Sequence, residues 1–358
     1  MQDSRADKRW AKSWSVTDRH RGRVVPDSSS TKEQLVSTGF QKLGPGYNRV
    51  FRAGELSIGL VVPIERYDSS PVPSMHRHVE RVQLAEQLGF AAVWLRDVPF
   101  NVPSFGDAGQ TFDPFVYLGL LAAKTQRIGL GVASIILPLR RPAHVAKAAA
   151  TTDFFSGGRL ILGVASGDRL EEFPAMAVSY RDRGKRFRES FQYIRQMTDT
   201  SPIFENMFGV FRGQIDMLPK PQSGKIPMLI TGGSQQDSEW LSNNGDGWML
   251  YPRPSEMQAR VISEWRERMQ SLGCSNQPIL EPYYVDLRED PDADPTPIHL
   301  GYRLGVNRLV EYLRTRQSIG VNHVALNLRF NQADVETTLH RIAESVLPEF
   351  TTIDEKQI

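Results

Sequence analysis

Short, almost wholly apolar runs recur along this chain, each followed by a stretch whose apolar residues repeat at helical spacing. The first run is LSIGLVVP at 56–63, closed by a proline. A helix is expected over 74–89, with Ser74 as N-cap and Gly89 just past its end. The pattern then repeats. Further strands are expected over 91–97, 127–136, 159–166, 226–233, 247–252, 282–287 and 323–330. Helices are expected over 113–125, 141–158, 183–197, 234–244, 254–273, 305–317 and 333–347. Asp113 and Pro114 mark one helix start as a cap and a first-turn proline.

Strands that are apolar almost throughout are buried on both faces, as in parallel sheets. Eight of them in strict alternation with eight helices predict the α/β class and a (β/α)8, TIM-type barrel. One excursion breaks the alternation: 204–225 reads as a short hairpin and a proline-rich loop between strands four and five. The competing arrangement, a doubly wound open sheet, usually carries a glycine-rich turn after its first strand. LVVPIERYDSS has none. The domain reading is a polar extension over 1–52, expected to be poorly ordered, followed by the barrel over 53–358.

Composition narrows the possible functions. The chain has 358 residues and a formal charge of +2, which offers nothing for nucleic acid or an anionic membrane surface. Cys274 is the single cysteine, so no intramolecular disulfide can form; a cytoplasmic setting is expected. No apolar run approaches the roughly eighteen residues of a membrane span. The first thirty residues lack the apolar core of a secretory signal. No metal site is expected: His76 and His78 lie two apart and face different sides of a helix start. Phosphate-loop and hydrolase-elbow motifs are absent from the sequence.

In a barrel of this kind, chemistry sits at the C-terminal strand ends. After strand five, Thr231-Gly232-Gly233-Ser234-Gln235-Gln236 opens a helix and forms a plausible phosphate cradle; an ordinary serine-capped helix explains the same residues. Ser166 and Gly167 follow strand four, where a plain turn is the simpler reading. Arg140 and Arg141 follow strand three and could pair with an anion or with neighbouring elements. Arg96 and Asp97 follow strand two, and an ion pair between them would have no catalytic role. Phe100, Phe112 and Tyr117 are candidates for an aromatic lining, or for plain core.

Taken together, these segments resemble the bacterial-luciferase-like flavin monooxygenases and oxidoreductases, in particular a luciferase-type subgroup of unassigned substrate. The block RIGLGVASIILPLRRPAHVAKAAATTDFFSGGRLILGVASGD carries most of the resemblance. Its characteristic positions are Arg141-Pro142, Ala146-Lys147, Asp153, Ser156 and Gly158-Arg159. IPMLITGGSQQDSEW followed by Asp246-Gly247-Trp248 is a second match. The resemblance implies an FMN-dependent enzyme that applies reduced flavin and O2 to a small organic substrate, often with a separate flavin reductase, and a homo-oligomer, most simply a dimer. The alternatives are hydride transfer through a deazaflavin and a flavin-binding barrel without turnover. A deazaflavin's anionic tail would call for basic residues at the mouth, for which Arg140, Arg141, Arg169 and Arg181 are candidates.

By position, the resemblance places Ser166, Gly167, Gly233, Ser234 and Gln235 at the cofactor phosphate, and Ala133 and Ser134 under the isoalloxazine. It also implies a cis peptide between Ala133 and Ser134. One departure is plain. Luciferases carry W-L-x-E-H-H after strand two, whereas this chain reads Trp94-Leu95-Arg96-Asp97-Val98-Pro99. The histidine pair is missing, and Asp97 is the one remaining candidate for a catalytic acid or base there.

Overall fold

The computed structural model describes residues 39–350. Eight strands form the barrel: β1 Ser57–Val61, β2 Ala92–Leu95, β3 Gly129–Ile136, β4 Leu160–Ala165, β5 Met228–Thr231, β6 Trp248–Met249, β7 Ile279–Leu287 and β8 His323–Asn327. Each pairs in parallel with its neighbours. β8 returns to β1 through Ser57↔His323, and β6 meets β7 through Trp248↔Ile279, so no barrel edge is left open. A helix follows every strand, the first His78–Gln87 and the last Val335–Ser345. The expected (β/α)8 barrel is therefore present.

Side-chain alternation along the strands divides the core into two shells. Residues facing the helices, such as Leu60, Val93, Leu130 and Leu162, pack in the outer shell. Val61, Trp94, Ile161, Leu229, Met249, Leu280 and Ala325 fill the barrel interior. Trp94 fits there because Gly131 carries no side chain: a Cβ at that position would stand 2.2 Å from the indole. His323 is likewise accommodated by Gly59, whose Cβ would approach the imidazole Nε2 to 2.6 Å.

The N-terminal end of the barrel is plugged. A helix at Pro45–Val50 places Tyr47, Val50 and Phe51 against the interior cluster, and the Tyr47 hydroxyl donates to the Asp246 carbonyl at 2.6 Å. Gly46 lies so close to Arg159 that a Cβ would sit 2.4 Å from its carbonyl oxygen. The boundary expected at 52 therefore moves back: residues from Leu43 onward belong to the barrel. Most of the expected extension, residues 1–38, lies outside the described residues.

Other local expectations are corrected. Ser74 does not cap a helix, because its N–H and hydroxyl both donate to Glu65, and the helix starts at His78 after a left-handed Arg77. Beyond β7 lies a hairpin that was not expected, Thr296–Ile298 with Gly301–Leu304, whose second strand runs parallel to β7. The excursion between β4 and β5 does contain the expected hairpin, Ile203–Asn206 with Gly209–Arg212. Asp113 caps its helix, accepting from the N–H groups of Phe115 and Val116 at 2.9 and 3.2 Å. Among the described residues, no helix is long and apolar enough to cross a membrane.

Candidate active site

The ends of β3, β4 and β5 are neighbours, and they carry most of the residues singled out in the sequence. The Ala133–Ser134 peptide is cis. The register between β3 and β4 shifts between Val132 and Ile135, so the strand bulges at this point. Ala133 is partly exposed, whereas Ser134 is buried, 3.8 Å from the Met249 sulfur and hydrogen-bonded to the Thr231 hydroxyl. Ala133 alone therefore offers an open face.

Beyond β4, Ser166 is buried and Gly167 takes a φ of 81°. A Cβ on Gly167 would stand 2.7 Å from Ile136, so packing alone calls for a glycine there. Beyond β5 the chain makes a tight turn in which Gly232, Ser234 and Gln235 all have positive φ, 53°, 42° and 61°. Two non-glycine residues in this region are costly and mark a conformation imposed by the surroundings. Ser234 donates its hydroxyl back to the Thr231 carbonyl at 2.8 Å. The helix begins only at Ser238, capped by Asp237, so the expected serine-capped helix start is not formed. Gly232 and Gly233 border open space: a Cβ on Gly232 would meet nothing within 4 Å, and one on Gly233 only the Gln236 carbonyl at 3.9 Å.

The N-terminal end of the fourteen-residue helix Arg183–Gln196 packs on this turn. Gln236 donates to the Gly184 carbonyl at 2.8 Å and accepts from Arg188 at 2.7 Å. Arg183 stacks on Tyr180, with its guanidinium carbon 3.8 Å from the ring centre and its buried Nε unpartnered. A positive helix end and open glycines favour an anion at this turn.

The structure does not support Asp97 as a free acid or base. Its side chain is 1% exposed, and both oxygens are held by Arg140, at 2.7 and 2.9 Å, with a further bond from the Ile136 N–H. Arg140 also reaches Asp113 at 2.9 Å. This network ties the ends of β2 and β3 to the helix after β2. Burial works against the Arg140 charge, but Asp97 and Asp113 more than compensate and raise its pKa. Arg140 is thus committed to carboxylates of the chain itself. The expected Arg96–Asp97 pair is not formed. Tyr117 and Phe112 pack against His78, with ring centres 5.1 Å from it, so Tyr117 is core rather than lining.

At the other half of the mouth, Arg96 and Arg169, both named from the sequence, converge with residues that were not read with them. Arg96 donates to Asp107 at 2.6 Å, and Arg329, just beyond β8, lies 3.1 Å from the same oxygen. Arg169, beyond β4, donates to the Asp107 carbonyl at 3.1 Å and stacks on Phe105 at 4.1 Å. Tyr67, beyond β1, is buried beneath Arg329. Of the arginines proposed for an anionic tail, Arg169 joins this cluster. Burial alone would raise the Asp107 carboxyl, but Arg96, the Gly109 N–H and Arg329 hold it below its ordinary pKa. Nearby Glu172 is buried with an unpartnered oxygen, and burial pushes its pKa up to about 7. Each of these arginines lies within a few residues of a strand end, which is the only signal the sequence carries for them.

No group of three or more metal-ligating side chains occurs among the described residues. A cleft of about 210 Å³ lies at the opposite, N-terminal end, between Tyr47, Lys225 and Asn276, away from the strand ends where barrel chemistry occurs.

Comparison with known proteins agrees with this geometry. The family model for luciferase-like monooxygenases matches residues 56–280. An uncharacterized protein of Mycobacterium tuberculosis is 31% identical over 196 residues, covering 50% of this chain and 69% of that one. The F420-dependent glucose-6-phosphate dehydrogenase of Amycolatopsis mediterranei is 30% identical over 181 residues, 48% of this chain and 52% of that enzyme. In fold, the chain resembles a monooxygenase from Streptomyces bottropensis, with a TM-score of 0.65 and 21% identity over 82% of this chain and 100% of that one. A family match across more than half the sequence, on a closed barrel with small residues at its strand ends, places this chain in the luciferase-like monooxygenase family of flavin- and F420-dependent oxidoreductases.

Proposed function

We propose that this oxidoreductase binds FMN and uses the reduced flavin with O2 on a small organic substrate. The carrying observation is the turn at Gly232–Gln235: open at both glycines, held in left-handed backbone, and faced by a helix N-terminus. Those features fit a phosphate. Gly233 and Gln235 would hold it by backbone, with Ser234 fixing the turn and Ser166 and Gly167 bordering it. Ala133 would give the flat ring an open face. When bound, the flavin supplies the redox chemistry and the reactivity toward O2. The chain supplies position and a site screened from water.

A second reading, hydride transfer through a deazaflavin, is favoured by a specific observation: the similarity to an F420-dependent dehydrogenase. The same turn would hold that cofactor's phosphate. The absorbance and mass of the cofactor that co-purifies, or that binds when added, separates the two. Oxygen uptake on substrate addition supports the first reading, and cofactor bound without any turnover supports a storage role.

The phosphate placement has its own test. Gly233 has ordinary φ and open space at its Cβ, so Gly233→Asp adds charge without disturbing the turn. Cofactor affinity is expected to fall about tenfold or more, roughly 1.4 kcal/mol, with unchanged thermal stability. Gly233→Asn, equal in bulk but neutral, is expected to lose much less. Equal losses for the two variants in a fluorescence titration would move the phosphate elsewhere.

A further inference from the structure

Four loops bring cationic and phenolic side chains to one point of the barrel mouth. They follow β1 (Tyr67), β2 (Arg96 and Asp107), β4 (Arg169) and β8 (Arg329). Among the described residues, Asp107 is the one carboxylate paired with Arg96 and Arg329, at 2.6 and 3.1 Å. Arg169 reaches only the backbone carbonyl of the same residue. Among the described residues, three buried polar atoms of the cluster have no partner: the Tyr67 hydroxyl, the Arg169 Nη1 and the Arg329 Nε. Tyr67 is 4% exposed and Arg169 7%, so water does not satisfy these donors as it would at a surface. Behind Arg169 stand Asp168 and Glu172.

Asp107 lies in a short segment bounded by two glycines. A single 3-10 turn, Pro103–Phe105, precedes it, and Gly106 and Gly109 have positive φ. Gln110 anchors the base of the segment, donating to the Arg96 and Phe112 carbonyls at 2.6 Å each. The tip is held by the arginines, through Asp107 and through the Gly106 carbonyl, which accepts from Arg329 at 3.0 Å, and also by the Ala108 N–H, which donates to the Pro71 carbonyl at 2.8 Å, and the Ser104 hydroxyl, which donates to Glu171 at 3.1 Å.

From this geometry we infer that Arg96, Arg169, Arg329 and Tyr67 form the subsite for an anionic group of the substrate, a carboxylate or phosphate, which takes the place of the Asp107 carboxylate and releases the 103–109 segment. The inference rests on the oxidoreductase reading for the word substrate; the anion site stands on these residues alone. One carboxylate leaves three buried donors unused, whereas an incoming anion with two or three free oxygens can meet them. Guanidinium forks suit such a ligand better than amines would. Asp107 meanwhile keeps the arginines from lying buried and uncompensated while the site is empty of substrate.

The probe is inorganic phosphate, titrated calorimetrically into the full chain with and without its cofactor, while hydrogen exchange is followed over 103–109. Phosphate is expected to bind both forms and to speed exchange in that segment. Asp107→Asn removes the competing charge and can keep the bond from the Gly109 N–H, which is 2.7 Å in the wild type. It is expected to tighten phosphate binding about tenfold, and Arg329→Gln to weaken it by a similar factor. Equal affinity in wild type and Asp107→Asn, or no binding to either, overturns the inference. Binding that disappears when the cofactor is loaded assigns the anion to the cofactor and overturns the substrate subsite. Failure of the cofactor reading leaves the result with the cofactor-free chain intact, so the two are separable.

Discussion

Arg159→Lys is expected to destabilise the barrel by about 3 kcal/mol or more, although it preserves the charge. The Arg159 guanidinium is buried, and all five of its N–H groups are used. Nε donates to the Ser156 carbonyl at 2.7 Å. Nη1 donates to the Thr125 hydroxyl and the Ile128 carbonyl, at 2.8 and 2.9 Å. Nη2 donates to the Ala122 and Thr125 carbonyls, at 3.1 and 2.9 Å. One side chain thus binds the end of the helix Pro114–Lys124, the start of β3 and the turn before β4. Four of the five acceptors are main-chain carbonyls. A lysine ammonium has three donors on one atom and cannot span positions spread around a planar fork. At least two buried carbonyls would be left unpaired, at about 1–3 kcal/mol each. The site lies at the end of the barrel opposite the proposed cofactor turn, so cofactor affinity per folded molecule is expected to stay the same. Urea unfolding followed by tryptophan fluorescence measures the first part, and a loss below about 1 kcal/mol would refute it.

The same residue shows why parts of the fold were legible. In the DFFSGGR run, Asp153, Ser156 and both glycines shape the turn into β4. The Ser156 hydroxyl donates to the Asp153 carbonyl at 3.1 Å and accepts from the Arg159 N–H at 3.2 Å. Gly157 and Gly158 take φ of 66° and 80°, which the turn into β4 requires. Asp153 accepts from the Gln222 N–H at 2.8 Å. A motif built from local contacts can be recognised in a linear sequence. The eight strands were legible for a similar reason: burial on both faces leaves a continuous apolar run. The small residues at 166, 167 and 233 were legible because their spacing from the strands places them at the mouth, whereas Ala133 was placed by the resemblance.

What escaped depends on contacts far apart in sequence. Ser74 looks like a helix cap until Glu65 captures it, and nothing local announces that capture. The helix at Pro45–Val50 begins within Gly44-Pro45-Gly46, in the stretch expected to be poorly ordered; it forms because Tyr47 and Val50 can be buried under the barrel. The Arg96–Asp107–Arg329 cluster joins residues 11 and more than 200 positions apart, so its convergence needs the closed barrel. Asp97 shows the reverse error. It stands where a family acid would, but Arg140, 43 residues away, takes both its oxygens.

A second large effect is expected on acidification, and it arises from His323. The imidazole is fully buried inside the barrel and makes two bonds whose directions fix its tautomer. The Trp94 indole N–H can only donate, so Nε2 accepts, at 2.8 Å. The Ser57 hydroxyl gives its proton to the Val50 carbonyl at 2.6 Å, so it must accept from the Nδ1–H, also at 2.6 Å. Protonating Nε2 would set two donors against each other in a space closed by Gly59 and the Phe51 ring. Burial accordingly pushes the pKa down to about 3, from an ordinary 6.5. A base with a depressed pKa stabilises the fold fully above its unfolded pKa, and that contribution is lost as pH falls toward the folded value. The window is therefore pH 6.5 down to about 3. The loss from this one residue should reach about 3 kcal/mol near pH 4. Carboxylates also titrate there, so the informative quantity is a difference between proteins. His323→Gln keeps an acceptor within reach of Trp94 and cannot titrate. It is expected to cost about 1–2 kcal/mol at pH 7.5 and then to lose stability less steeply than the wild type, by close to one proton, between pH 6 and 4. Parallel curves for the two proteins in urea unfolding across that range would mean that His323 is charged in the folded barrel, contrary to the bonding that Trp94 and Ser57 impose.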